Sequence, residues 1–171
     1  MSKDLYTLAL ERARKEEGLR LKLYLCPKKR WTIGYGRNIQ DKGLSNKECM
    51  HLFGKNISLI NQVEFLKDKE ITKEQAEYLL KNDVQDTINQ LIAHFLHIYR
   101  DLNAARKLVL IDMCFNMGLN RFGKFNRMIL ALEMRDFEKA AIEILDSDYA
   151  RDKGTAKRAK INANIMESGV L

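Results

Sequence analysis

Three side chains in one short stretch, Glu17 to Gly36 (EGLRLKLYLCPKKRWTIGYG), have types and spacing that suit chemistry. Glu17 closes a helical pattern, Cys26 follows after eight residues, and Thr32 after five more. A carboxyl at a helix C-terminus sits at the negative end of the dipole, which penalises its ionised form. That suits an acid that must hold its proton near neutral pH. Glu16 has the same claim, because a rotation of about 100° per residue puts the two acids on opposite edges of the apolar stripe. The plainer reading of the pair is two solvated carboxylates at a frayed helix end. Cys26 is followed by Pro27, Lys28, Lys29 and Arg30, and nearby cations are expected to lower a thiol pKa and raise its thiolate fraction. Thr32 shares the polar face on which Cys26 falls. The stretch therefore offers a protonated acid, a thiolate and a hydroxyl, as one lip of a cleft.

The surrounding pattern says what must hold them. Residues 4–17 read as a helix with Leu5, Tyr6, Ala9, Leu10 and Ala13 on one face, stopped by Gly18. Leu19, Leu21, Leu23 and Leu25 then alternate with Arg20, Lys22, Tyr24 and Cys26, the pattern of a half-buried antiparallel strand. Pro27 fits position i+1 of a type I turn. The return strand puts Trp31, Ile33 and Tyr35 on one face and Thr32, Gly34 and Gly36 on the other. Those glycines suggest that another backbone or a ligand lies close. Ser45-x-x-Glu48 and Thr72-x-x-Gln75 are capping boxes. The second opens a long helix over 73–98, with a shorter helical piece at 57–67 between the boxes. Asn103 begins an apolar helix through Leu108, Ile111, Cys114 and Phe115 to Gly118, hydrophobic almost all round and so expected at the centre of a helical lobe. Helices at 124–134, 136–146 and 156–167 follow. Glu70-Ile71 is the expected joint between a small mixed lobe (about 13–70) and a larger helical one (about 71–171, with the N-terminal helix). No Pro/Gly/Ser-rich linker separates them, so the fold class is α+β, mostly helical, in two lobes of one domain.

Composition bounds the function. A chain of 171 residues, 46% hydrophobic and 31% charged, has the make-up of a soluble domain. No apolar run reaches the roughly 20 residues of a membrane span, so no stable membrane insertion is expected. The start of the chain lacks the pattern of a signal peptide. Three cysteines do not suggest a disulfide framework, and Cys49 and Cys114 fall in helical patterns as core residues. The net charge of +7 is uneven: residues 11–37 hold nine Lys/Arg against three Glu, and 151–160 five against one Asp. Basic ends favour an anionic partner, either nucleic acid, a membrane surface or an acidic wall polymer, against the plainer reading of a solvated surface. His94 and His97 have no partners at metal-ligand spacing. There is no HExxH, no phosphate-binding loop and no GxSxG, and TIGYG lies in a strand pattern rather than opening a helix.

The Glu17, Cys26 and Thr32 spacing, with Thr-Ile-Gly-x-Gly behind it, resembles the phage-type lysozymes of glycoside hydrolase family 24. In that family a Glu is followed by an Asp or Cys and then a Thr on a helix end and hairpin. ITKEQAEYLL is similar to the start of the family's inter-lobe helix, AARKLVLIDMCFNMG to its central helix, and RDFEKAAIEILDS and Arg158-Ala-Lys160 to later segments. The resemblance covers nearly the whole chain.

It implies a glycan held between the lobes, and hydrolysis of the β-1,4 bond between N-acetylmuramic acid and N-acetylglucosamine in peptidoglycan, with no cofactor and no metal. Glu17 would be the proton donor, Cys26 the second group and Thr32 the residue that positions water. Gly36, Asn38, Phe115 and Asn116 would line the glycan, and Arg158 would pair with Glu17. Phe115 reads equally well as core and Asn38 as a loop cap. The chain departs from the commoner acidic version at Cys26, which leaves inversion and retention both open. It departs again at Glu143, where an amide is expected and no role is carried over. The resemblance further implies a monomeric endolysin, made in the bacterial host cytoplasm and released to the cell wall with the help of a holin. The rival readings are a catalytically silent peptidoglycan-binding relative and a nucleic-acid binder, the latter without any recognition motif.

Overall fold

The computed structural model describes residues 4–171. The described chain divides into two compact units, Leu10–Gln85 and a second that joins the start of the chain, up to Ala9, with Asp86–Leu171. The divisions fall inside two helices, α1 (Leu5–Glu17) and α4 (Lys73–Tyr99).

In the first unit the chain leaves α1 through Gly18, whose φ of +67° needs a residue without a Cβ. It enters β1 (Arg20–Leu25), which pairs antiparallel with β2 (Trp31–Gly34). The connection is a turn closed by Lys29 N–H on the Cys26 carbonyl at 2.8 Å, with Lys29 left-handed at φ 56°. That is a type I turn followed by a left-handed residue, with Pro27 at the position its fixed φ favours. The expected alternation along β1 is interrupted. A register shift between Arg20 and Tyr24 re-aims the strand, so Leu21 and Leu23 are half-buried while Leu25 is 54% exposed. The return strand is also shorter than expected. It ends at Gly34, φ +66°, and the chain turns through Tyr35 and Gly36 into a third strand, β3 (Arg37–Asn38), paired Thr32 to Asn38 and Ile33 to Arg37.

Two helices, α2 (Asn46–Phe53) and α3 (Leu59–Leu66), and the first part of α4 complete this unit. Both capping boxes form: Ser45 with Glu48 at 2.8 and 3.2 Å, and Thr72 with Gln75 at 2.9 and 3.1 Å. Its interior holds Ile33, Ile39, Leu44, Leu66, Leu79 and Leu80 around a buried cation. Arg37 donates to both oxygens of Glu48 (3.0 and 2.8 Å), to Asp83 (2.8 Å) and to the Gly43 carbonyl (3.0 Å). Burial opposes the ionised Glu48, but its bonds from Arg37, Asn82 and Ser45 win and hold its pKa at about 2. The buried Arg37 charge, shared between two carboxylates and a carbonyl, ties β3 to α2 and α4.

The second unit is helical. Its α5 (Ala104–Met117) is capped by Asn103, whose side chain accepts the Arg106 N–H at 3.0 Å, and carries a buried run from Leu108 to Cys114. Around it follow α6 (Leu119–Phe122), α7 (Asn126–Glu133), α8 (Phe137–Leu145), α9 (Asp148–Arg151) and α10 (Ala156–Ser168). The single-turn helices α6 and α9 lie between the expected ones, too short to carry a periodicity. The later part of α4 is kinked at Phe95 (φ −133°), whose ring meets Phe122 edge-on at 5.3 Å. Arg158 and Asn162 of α10 both bond Asp112 of α5: Arg158 at 2.9 and 3.0 Å, Asn162 at 2.8 Å. Among the described residues no helix is long and apolar enough to cross a membrane.

Candidate active site

Five of the residues singled out from sequence fall in the unit Leu10–Gln85: Glu17, Cys26, Thr32, Gly36 and Asn38. Burial separates the two acids that periodicity could not. Glu16 is exposed, whereas Glu17 is half-buried. Facing Glu17 is the backbone of Gly36: a Cβ built there would lie 3.3 Å from Glu17 Oε2, and the φ of +87° excludes ordinary side chains in any case. The expected close approach at Gly36 is therefore to the Glu17 carboxyl itself. Gly34 meets only Ala76 and Ile71 at ordinary contact distance, so its left-handed φ is what requires glycine.

Cys26 sits at the mouth of the hairpin turn, half-buried. Burial pushes its thiol up, but the backbone N–H groups of Arg30 and Lys28, the Thr32 hydroxyl and, least of all, the Lys28 charge bring it below the ordinary thiol value. The direction is the one expected from the basic turn. The cause differs: fixed amide dipoles in the turn act more strongly than the exposed ammonium groups. Thr32 is buried at 3% exposure and donates its one hydroxyl proton to the Arg30 carbonyl at 2.9 Å, with the Cys26 sulfur as the alternative acceptor. A hydroxyl that can rotate between acceptors suits the holding of a water.

Tyr24, directly opposite Thr32 in the sheet, belongs to the same patch. Burial raises its phenol, Arg20 above the ring at 4.5 Å opposes this, and Cys26 and Glu17 add to the rise. Tyr24 and Cys26 share parity along β1, the signal that could have drawn attention to it. Asn38 is bound at both ends by Asp41, accepting its N–H and donating to its carboxylate at 2.9 Å each, which is the turn-holding role weighed for it.

Phe115, Asn116 and Arg158 belong to the other unit. Phe115 and Asn116 are half-buried on the last turn of α5, past the fully buried run. Arg158 is buried and bonded to Asp112. Glu143, only 10% exposed, pairs with Lys139 at 3.0 Å. It lines a groove of about 580 Å³ with Arg121, Lys124, Arg127 and Tyr149. Among the described residues no three His, Cys, Asp or Glu side chains are placed to hold a metal; His97 bonds Glu133 at 3.0 Å.

The sequence profile described as phage lysozyme matches residues 14–161. Among curated proteins, the chain is 28% identical over 158 residues to a probable T4-type lysozyme 2 of Dictyostelium discoideum, covering 91% of each. It is 28% identical over 138 residues to an endolysin of Acyrthosiphon pisum secondary endosymbiont phage 1, covering 81% of this chain and 75% of that one. It is also 30% identical over 171 residues to the pre-baseplate central spike protein Gp5 of Enterobacteria phage T4, covering 94% of this chain but 28% of that much longer protein.

Proposed function

We propose that this chain, which belongs to the phage lysozyme family, is a muramidase that hydrolyses the β-1,4 bond between N-acetylmuramic acid and N-acetylglucosamine in peptidoglycan. The observation that carries the reading is the pairing, within one compact unit, of a half-buried Glu17 against Gly36 with a Cys26–Thr32 patch whose thiol is eased toward its ionised form.

Glycoside cleavage needs a proton on the leaving oxygen and a second group on the other face of the sugar. Glu17 gives its proton to the bridging oxygen as the bond to the anomeric carbon breaks. On the opposite face, water held by the Thr32 hydroxyl attacks that carbon, and the Cys26 thiolate takes the proton the water loses. The products are a sugar with a new anomeric hydroxyl and one with a restored hydroxyl, and Cys26 leaves the step as a thiol. A neutral thiol could not support an oxocarbenium-like transition state as a carboxylate does, so the lowered Cys26 pKa is necessary to this scheme. Attack by sulfur itself would instead give a covalent intermediate and a retained anomer, and NMR of the first product anomer separates the two routes.

Gly36 and Asn38, and in the helical unit Phe115 and Asn116, are proposed glycan-lining residues, and Arg158 a partner of Glu17, on the family resemblance. The same resemblance supports an endolysin role, with synthesis in a bacterial host and a holin for access to the wall. Expression with and without a membrane-permeabilising partner tests that part.

The direct test is the loss of turbidity of a bacterial cell-wall suspension. Parent protein clears it and Glu17→Gln does not. Binding to walls without clearing by the parent would favour a silent glycan-binding relative, in which Cys26 stands where a carboxylate was needed.

A further inference from the structure

One cluster beside the site has no part in the chemistry just described. Arg14, one turn before Glu17 on α1, donates from Nε to both oxygens of Glu77 at 2.9 Å each and from Nη2 to Oε2 at 2.8 Å. The Tyr35 hydroxyl donates to Oε1 of the same carboxylate at 2.9 Å. Tyr35 is 8% exposed, and Glu77 projects from α4 with 20% of its side chain accessible. All three residues, like Glu17 and Gly36, belong to the unit Leu10–Gln85.

The connectivity matters more than the ion pair. Residues three apart share a helix face, so Arg14 anchors the turn of α1 from which Glu17 projects. Tyr35 immediately precedes Gly36, whose backbone faces Glu17 Oε2. A single carboxylate thus ties together the two segments between which the Glu17 carboxyl lies. The bidentate Arg14 contact fixes orientation as well as distance. Bonds from Arg14 and, more weakly, from Tyr35 hold Glu77 below the ordinary carboxylate value despite its partial burial, so it stays ionised and the tie holds.

We propose that Glu77 is a positioning residue: through Arg14 and Tyr35 it sets the gap between the end of α1 and the Tyr35–Gly36 turn, and so places the Glu17 carboxyl for proton transfer. The inference rests on the reading of Glu17 as the acid. Loss of the tie lets the two segments drift, and misplacement of a proton donor lowers turnover more than binding.

Tyr35→Phe removes one hydroxyl and nothing else, and Glu77→Gln keeps shape while removing charge. On soluble peptidoglycan fragments both are expected to lose about tenfold or more in kcat with KM within about twofold of the parent. The double variant should be no worse than Glu77→Gln alone, since both changes cut the same tie. Carbon-13 NMR of the Glu17 carboxyl reads the geometry without turnover, and its resonance should move or broaden in Tyr35→Phe while circular dichroism shows the variant folded. Parent-like kcat and an unmoved Glu17 resonance in Tyr35→Phe would overturn the proposal. If the Glu17 resonance moves but the parent hydrolyses nothing, the positioning stands and the muramidase reading fails.

Discussion

Glu16 and Glu17 are the same residue type one position apart, and what separates them is the wall on one side of Glu17. Gly36 supplies that wall, where an added Cβ would come within 3.3 Å of Oε2, while Glu16 is exposed. Glu16→Gln is accordingly expected to clear walls at a rate within about twofold of the parent, since no reacting group changes. Gly36→Ala should lower both activity and stability, the latter by about 1–2 kcal/mol, because its left-handed φ is costly for any residue with a Cβ; thermal melts and wall-clearing rates measure the two losses. Cys26 as base must be ionised, so the rate should rise with pH through a midpoint below the ordinary thiol value, and Cys26→Asp should move that limb well into the acid range while remaining active. Cys49 and Cys114 are 0% and 2% exposed, and burial pushes the Cys114 thiol up to about 12. Iodoacetamide on the native protein should therefore label Cys26 first, as peptide mass spectrometry would show, and stop hydrolysis as it does so.

At the scale of elements, the helices were readable because capping chemistry is local: Ser45 with Glu48 and Thr72 with Gln75 announce helix starts within four residues. The sheet was less readable. Whether TIGYG continues as strand or turns at Gly34 depends on left-handed φ values that composition does not specify, and the shift between Arg20 and Tyr24 depends on pairing across the hairpin. The same limit hid the Arg14–Glu77–Tyr35 tie, whose members lie up to 63 residues apart. It also hid the Arg37–Glu48–Asp83 cluster that fastens β3 to α2 and α4. Glu48 carries a testable pH signature. Its folded pKa of about 2 lies below the ordinary value of 4.5, so its stabilising effect is complete above that ordinary value and is lost as pH falls toward about 2. Chemical denaturation across that window should show a loss of up to roughly 3 kcal/mol that Glu48→Gln lacks.

For the whole chain, the longer helices of the helical unit were legible, because α5 is apolar almost all round and its neighbours follow the 3.6-residue period, whereas the single-turn α6 and α9 were not. What the sequence could not carry is the polar centre of that unit, where Asp112 takes two bonds from Arg158 and one from Asn162. Asp112→Ala removes three hydrogen bonds from the buried Arg158 and Asn162 side chains, a loss of about 3 kcal/mol or more that an earlier urea transition would show. The family pattern reached both units, and Cys26 is where this chain departs from its commoner acidic form. The most direct measurement is wall clearing by Glu17→Gln, with circular dichroism and melting temperature recorded on the same sample. With Glu17 as the proton donor, the variant melts like the parent and leaves the wall suspension turbid. A folded Glu17→Gln variant that clears walls at the parental rate would contradict that role.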